Sequence, residues 1–374
     1  MTTDASPTLT VRALNRALLE RQLLLRRSAL PALDAVGHLA GLQAQSPMDP
    51  YHALAARLDG FDPEELSGLL ASRAAVRVPL MRGTIHLVGA PDAHALYPLL
   101  RPVHERAFQG SHGKRLAALD PHLVASFAEG LLAERPRTLQ ELGPLLAARW
   151  PGHAPADLAA AARALLPLVQ VTPRALWGRA GAAAWTTLGA WAGPGETAKG
   201  EPFDLGRLLL RYLAAFGPAS VKDAQTWSGL TRLRPAFEQL RPGLRTFRDP
   251  HGTELFDLPD GPLPDPGTPA PVRLLPEFDN IALSHADRAR ILDPAHRSRV
   301  WRVNRARCAF LVDGFIAGVW RVEKETGKGA ATLTLDPFGR LARADRADLE
   351  REAAGVLAMT APGARHDVRF GEVP

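Results

Sequence analysis

The chain has 374 residues, of which 46% are hydrophobic, and its formal net charge is +6. This length exceeds what one ordinary core serves, so we expect two to four domains, and the even spread of charged residues argues against long disordered tails. The small excess of Lys and Arg favours an acidic partner such as nucleic acid, while the one cysteine, Cys308, excludes an intrachain disulfide and a cysteine-based zinc site.

The first unit along the chain is predicted to be a group of helices followed by strands. Apolar periodicity predicts helices near Val11–Arg26 and Ala32–Leu42. Asp62 before Pro63 is typical of a helix N-terminus, so we expect a third helix to begin there. The segment Val76–Val88 then has the composition of strands.

Two glutamines follow the second of these helices, in the segment Gly41–Pro47, where Pro47 disfavours continuation of a helix. On a helix, Gln43 and Gln45 would face different sides. In an extended stretch they share a face, roughly 7 Å apart, so two amides could line one pocket where the helix unwinds. Spacing alone favours the alternative, two surface glutamines at a helix end.

The strand segment of this unit places Arg82, Thr84 and His86 on one face. These side chains could contact the phosphates of a nucleic acid. The sequence is equally consistent with an ion-paired Arg82 and a His86 that is hydrogen-bonded within the fold.

The second unit repeats this order of elements. A helix is predicted over Asp120–Ala133, and Thr138 with Glu141 forms a capping box that begins the next helix. A third helix is predicted over Pro155–Leu166, and Val169–Leu188 supplies a hairpin.

The hairpin of the second unit carries Arg174, Trp177 and Arg179 near its tip. A basic hairpin with an aromatic side chain suits contact with a nucleic-acid backbone and insertion into a groove. A Trp177 that simply packs against the fold is an equally good interpretation.

The third unit shows the pattern most clearly. A helix over Phe203–Phe216 precedes the Ser220–Asp223 start signal of a second helix, and a third helix follows near Thr231–Leu240. Two strand-like runs complete it in Leu244–Leu258. Helix–helix–helix–hairpin is the winged-helix pattern, and three copies predict tandem winged-helix modules.

Beyond a Pro-rich linker at Pro259–Pro271 the chain becomes β-rich. Asp313-Gly314 between two apolar runs in Cys308–Arg321 predicts a hairpin. We predict a small β-barrel or curved sheet, with a final helix near Arg343–Met359.

Polar residues in this region offer two further candidate sites. Glu277 and Asp279 are paired carboxyls of the kind that act on glycosidic bonds, but beside a Pro-rich turn such residues more often cap a helix or bind backbone. Arg321 lies at the end of the predicted hairpin and is a candidate nucleic-acid contact.

Seven short segments, taken together in their order along the chain, form a specific pattern. The segments are Leu39–Ser46, Leu80–Val88, Phe216–Ala219, Trp227–Gly229, Leu275–Asp279, Val312–Gly314 and Gly318–Arg321. Through these segments the chain resembles the AlkZ/AlkX-like family of bacterial winged-helix DNA glycosylases, from about Leu14 to Arg351.

The resemblance implies three tandem winged helices and a β-barrel in a C-shaped body that embraces DNA. It also implies a catalytic Gln-x-Gln motif, which matches Gln43 and Gln45, whereas the AlkX branch carries Asp at the second position. A β-hairpin is implied as a DNA-engaging element.

We therefore predict an α+β fold. Residues 1–115, 116–200 and 201–260 form winged-helix modules, and residues 261–374 form a β-rich barrel with a C-terminal helix. The predicted function is excision of alkylated purines, of the N7-alkylguanine type, from double-stranded DNA by a monofunctional glycosylase that needs no cofactor or metal. Interstrand crosslinks are a further expected substrate, and the alternative is a non-catalytic winged-helix regulator. We expect a cytoplasmic, nucleoid-associated monomer without membrane contact.

Overall fold

A helix, a short strand (a single bridging residue in the third unit), two further helices and a hairpin follow one another three times along the chain. The computed structural model describes residues 6–195, 203–302, 305–325 and 329–372. The first unit and its flanking helices comprise α1 Val11–Arg21, α2 Ala32–His38, β1 Leu42–Gln43, α3 Asp49–Arg57, α4 Pro63–Ala71, β2 Ala75–Pro79, β3 Ile85–Gly89 and α5 Ala90–Ser111.

The second and third units continue in the same order of elements. The second comprises α6 Pro121–Glu134, β4 Arg137–Thr138, α7 Leu139–Arg149, α8 Pro155–Leu165, β5 Leu168–Gln170, β6 Ala184–Thr187 and the short α9 Leu188–Ala192. The third comprises α10 Leu205–Phe216, α11 Val221–Ser228, α12 Arg234–Leu240, β7 Arg245–Arg248 and β8 Glu254–Asp257.

The short strand of each unit pairs with the second strand of its hairpin. β1 pairs with β3, β4 pairs with β6, and in the third unit Ala219 forms a bridge to Phe256. The first two units share one six-stranded sheet, because β2 pairs with β5 at Arg77 and Gln170. Their hairpins therefore hold each other in a fixed orientation.

Capping signals in the sequence are confirmed. Asp62 accepts a hydrogen bond from the Glu64 amide at the start of α4. Complete capping boxes begin α7 at Thr138 and α11 at Ser220. Such boxes satisfy two free N–H groups at each helix start, which fixes where these helices begin.

The two helices predicted at the N-terminus are shorter than the sequence indicates. α1 ends at Arg21 instead of Arg26, and Leu23 has a φ of 56°. α2 ends at His38 because Ala40 and Gly41 have φ values of 56° and 89°, which turn the chain into β1. A Cβ on Gly41 would lie 2.8 Å from the Val88 side chain, so this turn requires glycine.

The C-terminal region forms an open sheet rather than the predicted barrel. Its elements are β9 Arg273–Leu275, α13 Asn280–Leu283, α14 Arg297–Val300, β10 Trp301–Arg302, β11 Arg305–Ala306, β12 Ala309–Val312, β13 Phe315–Glu325, β14 Ala330–Pro337, α15 Arg343–Thr360 and β15 Arg365–Phe370.

Its main sheet has the order β15-β14-β13-β12-β9, with β9 and β15 at the two edges. α15 buries Leu349, Ala353 and Leu357 in the same apolar cluster as sheet residues such as Phe310 and Leu333. A helix therefore covers the apolar face that barrel closure would otherwise bury. The Asp313-Gly314 hairpin is confirmed, with both residues at positive φ.

Within the described residues, no helix combines the length and apolar character needed to cross a membrane.

Candidate active site

The two glutamines lie where the first unit differs from the other two. In the second unit Thr138 of β4 directly precedes α7, and in the third Ser220 directly precedes α11. In the first unit residues 44–48 separate β1 from α3. Gln43 ends β1 opposite His86, and Gln45 lies in the inserted segment.

Both glutamine carbonyls point at the same hairpin turn. Gln43 Oε1 accepts hydrogen bonds from Arg82 Nη2 at 2.6 Å and from Thr84 Oγ1 at 3.4 Å. Gln45 Oε1 lies 3.4 Å from the Ile85 amide, which donates to it. Gln43 is buried and Gln45 is exposed, so one amide is fixed in the fold while the other faces solvent.

The orientation of the Gln43 amide follows from its partner. Arg82 can only donate hydrogen bonds, so the oxygen of the amide must face it. The Gln43 NH2 group consequently points away from Arg82. The amide oxygen is held, and the nitrogen is the group left to meet a ligand.

Arg82 connects this turn to the third unit. Its Nη1 donates to the Trp227 carbonyl at 2.5 Å, and its backbone has a φ of 56°. A Cβ on Gly229, just after α11, would lie 3.2 Å from the Arg82 backbone, so glycine permits this close approach. Burial lowers the pKa of Arg82 to about 10, with Arg288 adding to the effect, and the group stays cationic at neutral pH.

His86 and Thr84 make contacts within the fold. His86 is 2% exposed, and its Nδ1 lies 2.9 Å from the Thr84 carbonyl, to which it donates. Burial, chiefly, lowers the His86 pKa to about 3, so its imidazole is neutral. The Thr84 hydroxyl has one hydrogen, which is shared between the Met81 carbonyl at 3.1 Å and Gln43 Oε1 at 3.4 Å. For His86 this geometry matches the hydrogen-bonded alternative, and a DNA contact by either residue stays a prediction.

Sequence reasoning missed Arg77, whose side chain binds the backbone between the two glutamines. Its side chain is 1% exposed, and Nη2 donates to the Ala44 carbonyl at 2.7 Å. Burial, with a smaller effect of Arg174, lowers the Arg77 pKa to about 10. The sequence has no local signal for this role, because only its burial in the strand distinguishes Arg77 from an ordinary surface arginine.

The remaining candidate DNA contacts lie apart from the glutamines in sequence and differ in exposure. Arg174 is half-buried and donates to the Gly181 carbonyl, while Arg179 is exposed. Trp177 packs on Tyr51, with ring centroids 4.8 Å apart. Arg321 is exposed and pairs with Asp336 at 2.6 Å. The structure therefore gives Trp177 a packing role and leaves Arg179 and Arg321 accessible.

Comparison with known proteins identifies the family. The family model described as DNA glycosylase AlkZ-like matches residues 36–359, which is most of the chain. The chain therefore belongs to the AlkZ-like DNA glycosylase family. The glutamine pair described above lies within the matched region.

Two relatives give the comparison more detail. An interstrand DNA cross-link repair glycosylase of Streptomyces sahachiroi is 27% identical over 355 residues, covering 90% of this chain and 93% of that protein. The solved structure of Streptomyces sahachiroi DNA glycosylase AlkZ has a TM-score of 0.76 at 23% identity, covering 97% of this chain and 100% of that one. This structural likeness shows a shared fold.

Proposed function

We propose that this chain hydrolyses the N-glycosidic bond of N7-alkylated purines in double-stranded DNA as a monofunctional glycosylase. Interstrand crosslinks joined through such bases are included among its substrates, in keeping with the name of its curated relative. The observation that carries the proposal is the convergence of the Gln43 and Gln45 carbonyls on Arg82–Ile85, in a segment inserted only in the first of the three units.

Neutral amides suit a bond that is already weakened. A glutamine side chain has no accessible pKa and cannot act as a general base. An N7-alkylated purine carries a positive charge and leaves without an acid, so the remaining task is to hold a water near C1′ and to stabilise the cationic sugar. The exposed Gln45 carbonyl can accept a hydrogen bond from that water, and the oriented Gln43 amide can fix its position.

We infer that the three repeated units are winged helices, assigned to residues 1–115, 116–200 and 201–260, with residues 261–374 as the C-terminal unit. The repeated pairing of a short strand with the hairpin supports this assignment. In this proposal the units form a scaffold that presents the Gln-x-Gln segment to DNA, with Arg174, Arg179 and Arg321 as backbone contacts. The protein acts as a monomer at the nucleoid.

A base-reading regulator is the alternative, and the charge of α12 does not favour it. α12 precedes the hairpin of the third unit, where a winged helix reads DNA. Arg234 contacts Glu238 at 3.2 Å and Glu254 at 2.9 Å, and Arg241 contacts the same two carboxylates at 2.6 and 2.9 Å. These arginines are neutralised within the protein, which suits a helix that does not select a base sequence.

The direct test is release of free base from duplex DNA that contains N7-methylguanine, followed in single turnover. Gln43→Ala and Gln45→Ala should each lower the rate by about 10²-fold, the scale of losing one oriented dipole, with DNA affinity nearly intact. Gln109→Ala, an exposed glutamine on α5, is the matched control and should react at the wild-type rate. Wild-type rates in both motif variants would refute the site.

A further inference from the structure

A cavity of mixed polar and apolar lining opens at the residue that follows Gln45. Its volume is about 410 Å³, within the range of about 300–1,000 Å³ found for ligand sites. Side chains from three regions of the chain line it, among them Ser46, Asp49, His52, Glu277, Cys308 and Trp320. The cavity therefore lies between the inserted segment and α3 on one side and the C-terminal sheet on the other.

Asp49 lies in this cavity with half of its carboxyl group unsatisfied. It is 6% exposed at the first position of α3, and its Oδ2 has no hydrogen-bond partner among the described residues. Burial, reinforced by the nearby Glu277, raises the Asp49 pKa to about 8. The carboxyl is therefore mostly protonated at neutral pH when the cavity is empty.

Glu277 also lines the cavity, next to a residue with an unusual backbone conformation. Phe278 has a φ of 54°, a left-handed conformation that is unfavourable for a bulky side chain. Asp279 pairs with the buried Arg57 at 2.7 Å, so this arginine is the ion-pair partner of Asp279 and not of Glu277. Glu277 remains half-buried without an ion pair among the described residues, and burial raises its pKa.

The other titratable groups around the cavity do not balance these two acids. Burial, with a smaller effect of Lys324, lowers the His52 pKa to about 4, and burial raises the Cys308 pKa to about 12, so both groups are neutral. Arg307 and Arg321 lie at the exposed rim, where both contact Asp336. The two rim arginines are the cations of the described cavity lining. The buried Arg77 interacts with Asp49 electrostatically but is not part of that lining and donates to the Ala44 carbonyl. Neither Asp49 nor Glu277 has an ion-pair partner among the described lining residues.

We propose that this cavity receives the base of the damaged nucleotide, and that Asp49 and Glu277 select a positively charged base over the neutral bases of undamaged DNA. The inference rests on the proposed glycosylase function and names the residues that recognise its substrate. A cationic base supplies the charge partner that the two carboxyls lack, so Asp49 releases its proton to solvent as the base enters. A neutral base offers no such compensation.

The test compares binding of two duplexes that resist hydrolysis because the target sugar carries a 2′-fluorine. One holds N7-methylguanine at the target position and the other holds guanine. At pH 6.5 we expect wild-type protein to prefer the methylated duplex by about tenfold, and Asp49→Asn and Glu277→Gln to lose most of this preference. Asp34→Asn and Glu64→Gln, which alter exposed acids on α2 and α4, are matched controls and should retain it.

Calorimetry in buffers of different ionisation enthalpy supplies a second measurement on the same samples. Wild-type protein should release close to one proton on binding the methylated duplex, and Asp49→Asn should not. Unchanged preference and unchanged proton release in Asp49→Asn would overturn the proposal for the cavity. A wild-type affinity for the guanine duplex verifies that each variant is folded.

The same protein samples distinguish failure of the cavity proposal from failure of the glycosylase proposal. If wild-type protein releases N7-methylguanine from a deoxyribose duplex while the Asp49 and Glu277 variants keep the binding preference, the cavity assignment fails and the glycosylase proposal stands. If the preference depends on Asp49 and no base is released, the cavity assignment stands and the glycosylase proposal fails.

Discussion

At the scale of single residues, Arg82 determines how the Gln43 amide is presented. It donates to Gln43 Oε1 and to the Trp227 carbonyl with its two terminal nitrogens, so its planar fork fixes both distances at once. Because both nitrogens are occupied within the protein, the structure favours a positioning role over the phosphate contact that the sequence suggests.

Arg82→Lys tests this role because lysine keeps the charge and loses the fork. We expect the single-turnover rate at saturating protein to fall by about tenfold to a hundredfold, since a misplaced group costs that much, while the DNA dissociation constant changes little. Arg101→Lys, an exposed arginine of α5 paired with Glu105, is the control. A loss of affinity with an unchanged saturated rate would instead identify Arg82 as a phosphate contact.

The sequence predicts the glutamine pair better than it predicts the residues around it. Gln43 and Gln45 are recognisable because they match the Gln-x-Gln motif of the family that the chain resembles, whereas their spacing alone favours two surface glutamines at a helix end. Arg77 and Asp49 are not recognisable, because their importance comes from burial by strands and helices distant in sequence. A single charged residue in a sequence carries no mark of its desolvation.

At the scale of elements, α3 is attached to the C-terminal region by one buried ion pair. Arg57 near the end of α3 binds Asp279 through two hydrogen bonds of 2.9 and 2.7 Å, and Asp279 also caps α13. Neither side chain is more than 2% exposed. The pair thereby sets the position of α3, which begins at the proposed base cavity.

Removing one partner should be costly because the other charge is left buried. We expect Asp279→Ala to lower the free energy of unfolding by about 3–5 kcal/mol in urea titrations followed by circular dichroism. Replacing both residues, Arg57→Met with Asp279→Leu, should recover much of that loss. The exposed pair of Arg26 with Glu20 provides the comparison, since its disruption should cost no more than about 1 kcal/mol. An equally small effect for Asp279→Ala would show that the pair does not anchor α3.

Local signals in the sequence predict the elements of the second and third units. Packing between elements that are distant in sequence determines the extent of the others. The capping boxes at Thr138 and Ser220 act over three residues, so the sequence contains all that is needed to find them. α5 runs for 22 residues through Pro98 and Pro102, although an internal proline ordinarily kinks or ends a helix. The length of α5 depends on its packing against other elements, which local sequence does not reveal. Packing distant in sequence also decides that α15, and not the closure of a barrel, covers the apolar face of the C-terminal sheet.

At the scale of the whole molecule, pairing between units obscures the boundaries that composition suggests. The hairpins of the first two units belong to one sheet, and an apolar core that includes Leu18, Leu209 and Ile316 joins α1, the third unit and the C-terminal sheet. A repeat visible in the sequence is therefore a repeat of topology, and its units fold against one another. The glutamine segment gains a fixed position because Arg82 joins Gln43 to the Trp227 carbonyl of the third unit, and Asn280 of the C-terminal region donates to the Gly41 carbonyl.

The distribution of charge over the molecule predicts how salt will affect DNA binding. Many of the arginines, such as Arg234 on α12, are paired with carboxylates, so the total of 45 Lys and Arg residues overstates the phosphate-binding surface. Arg179 lies exposed near the tip of the second hairpin, and no ion pair to it is found among the described residues. It is the better candidate for displacing counterions from DNA.

Arg179→Gln should lower the slope of log K against log salt concentration by about one, with an equal loss of affinity for damaged and undamaged duplexes. Arg234→Gln removes the same charge from α12 and should leave the slope unchanged, because Glu238 and Glu254 already neutralise Arg234. Fluorescence anisotropy titrations between 50 and 200 mM salt measure both slopes. The reverse result, a smaller slope for Arg234→Gln alone, would place DNA on α12 and return the third unit to the role of a base-reading helix.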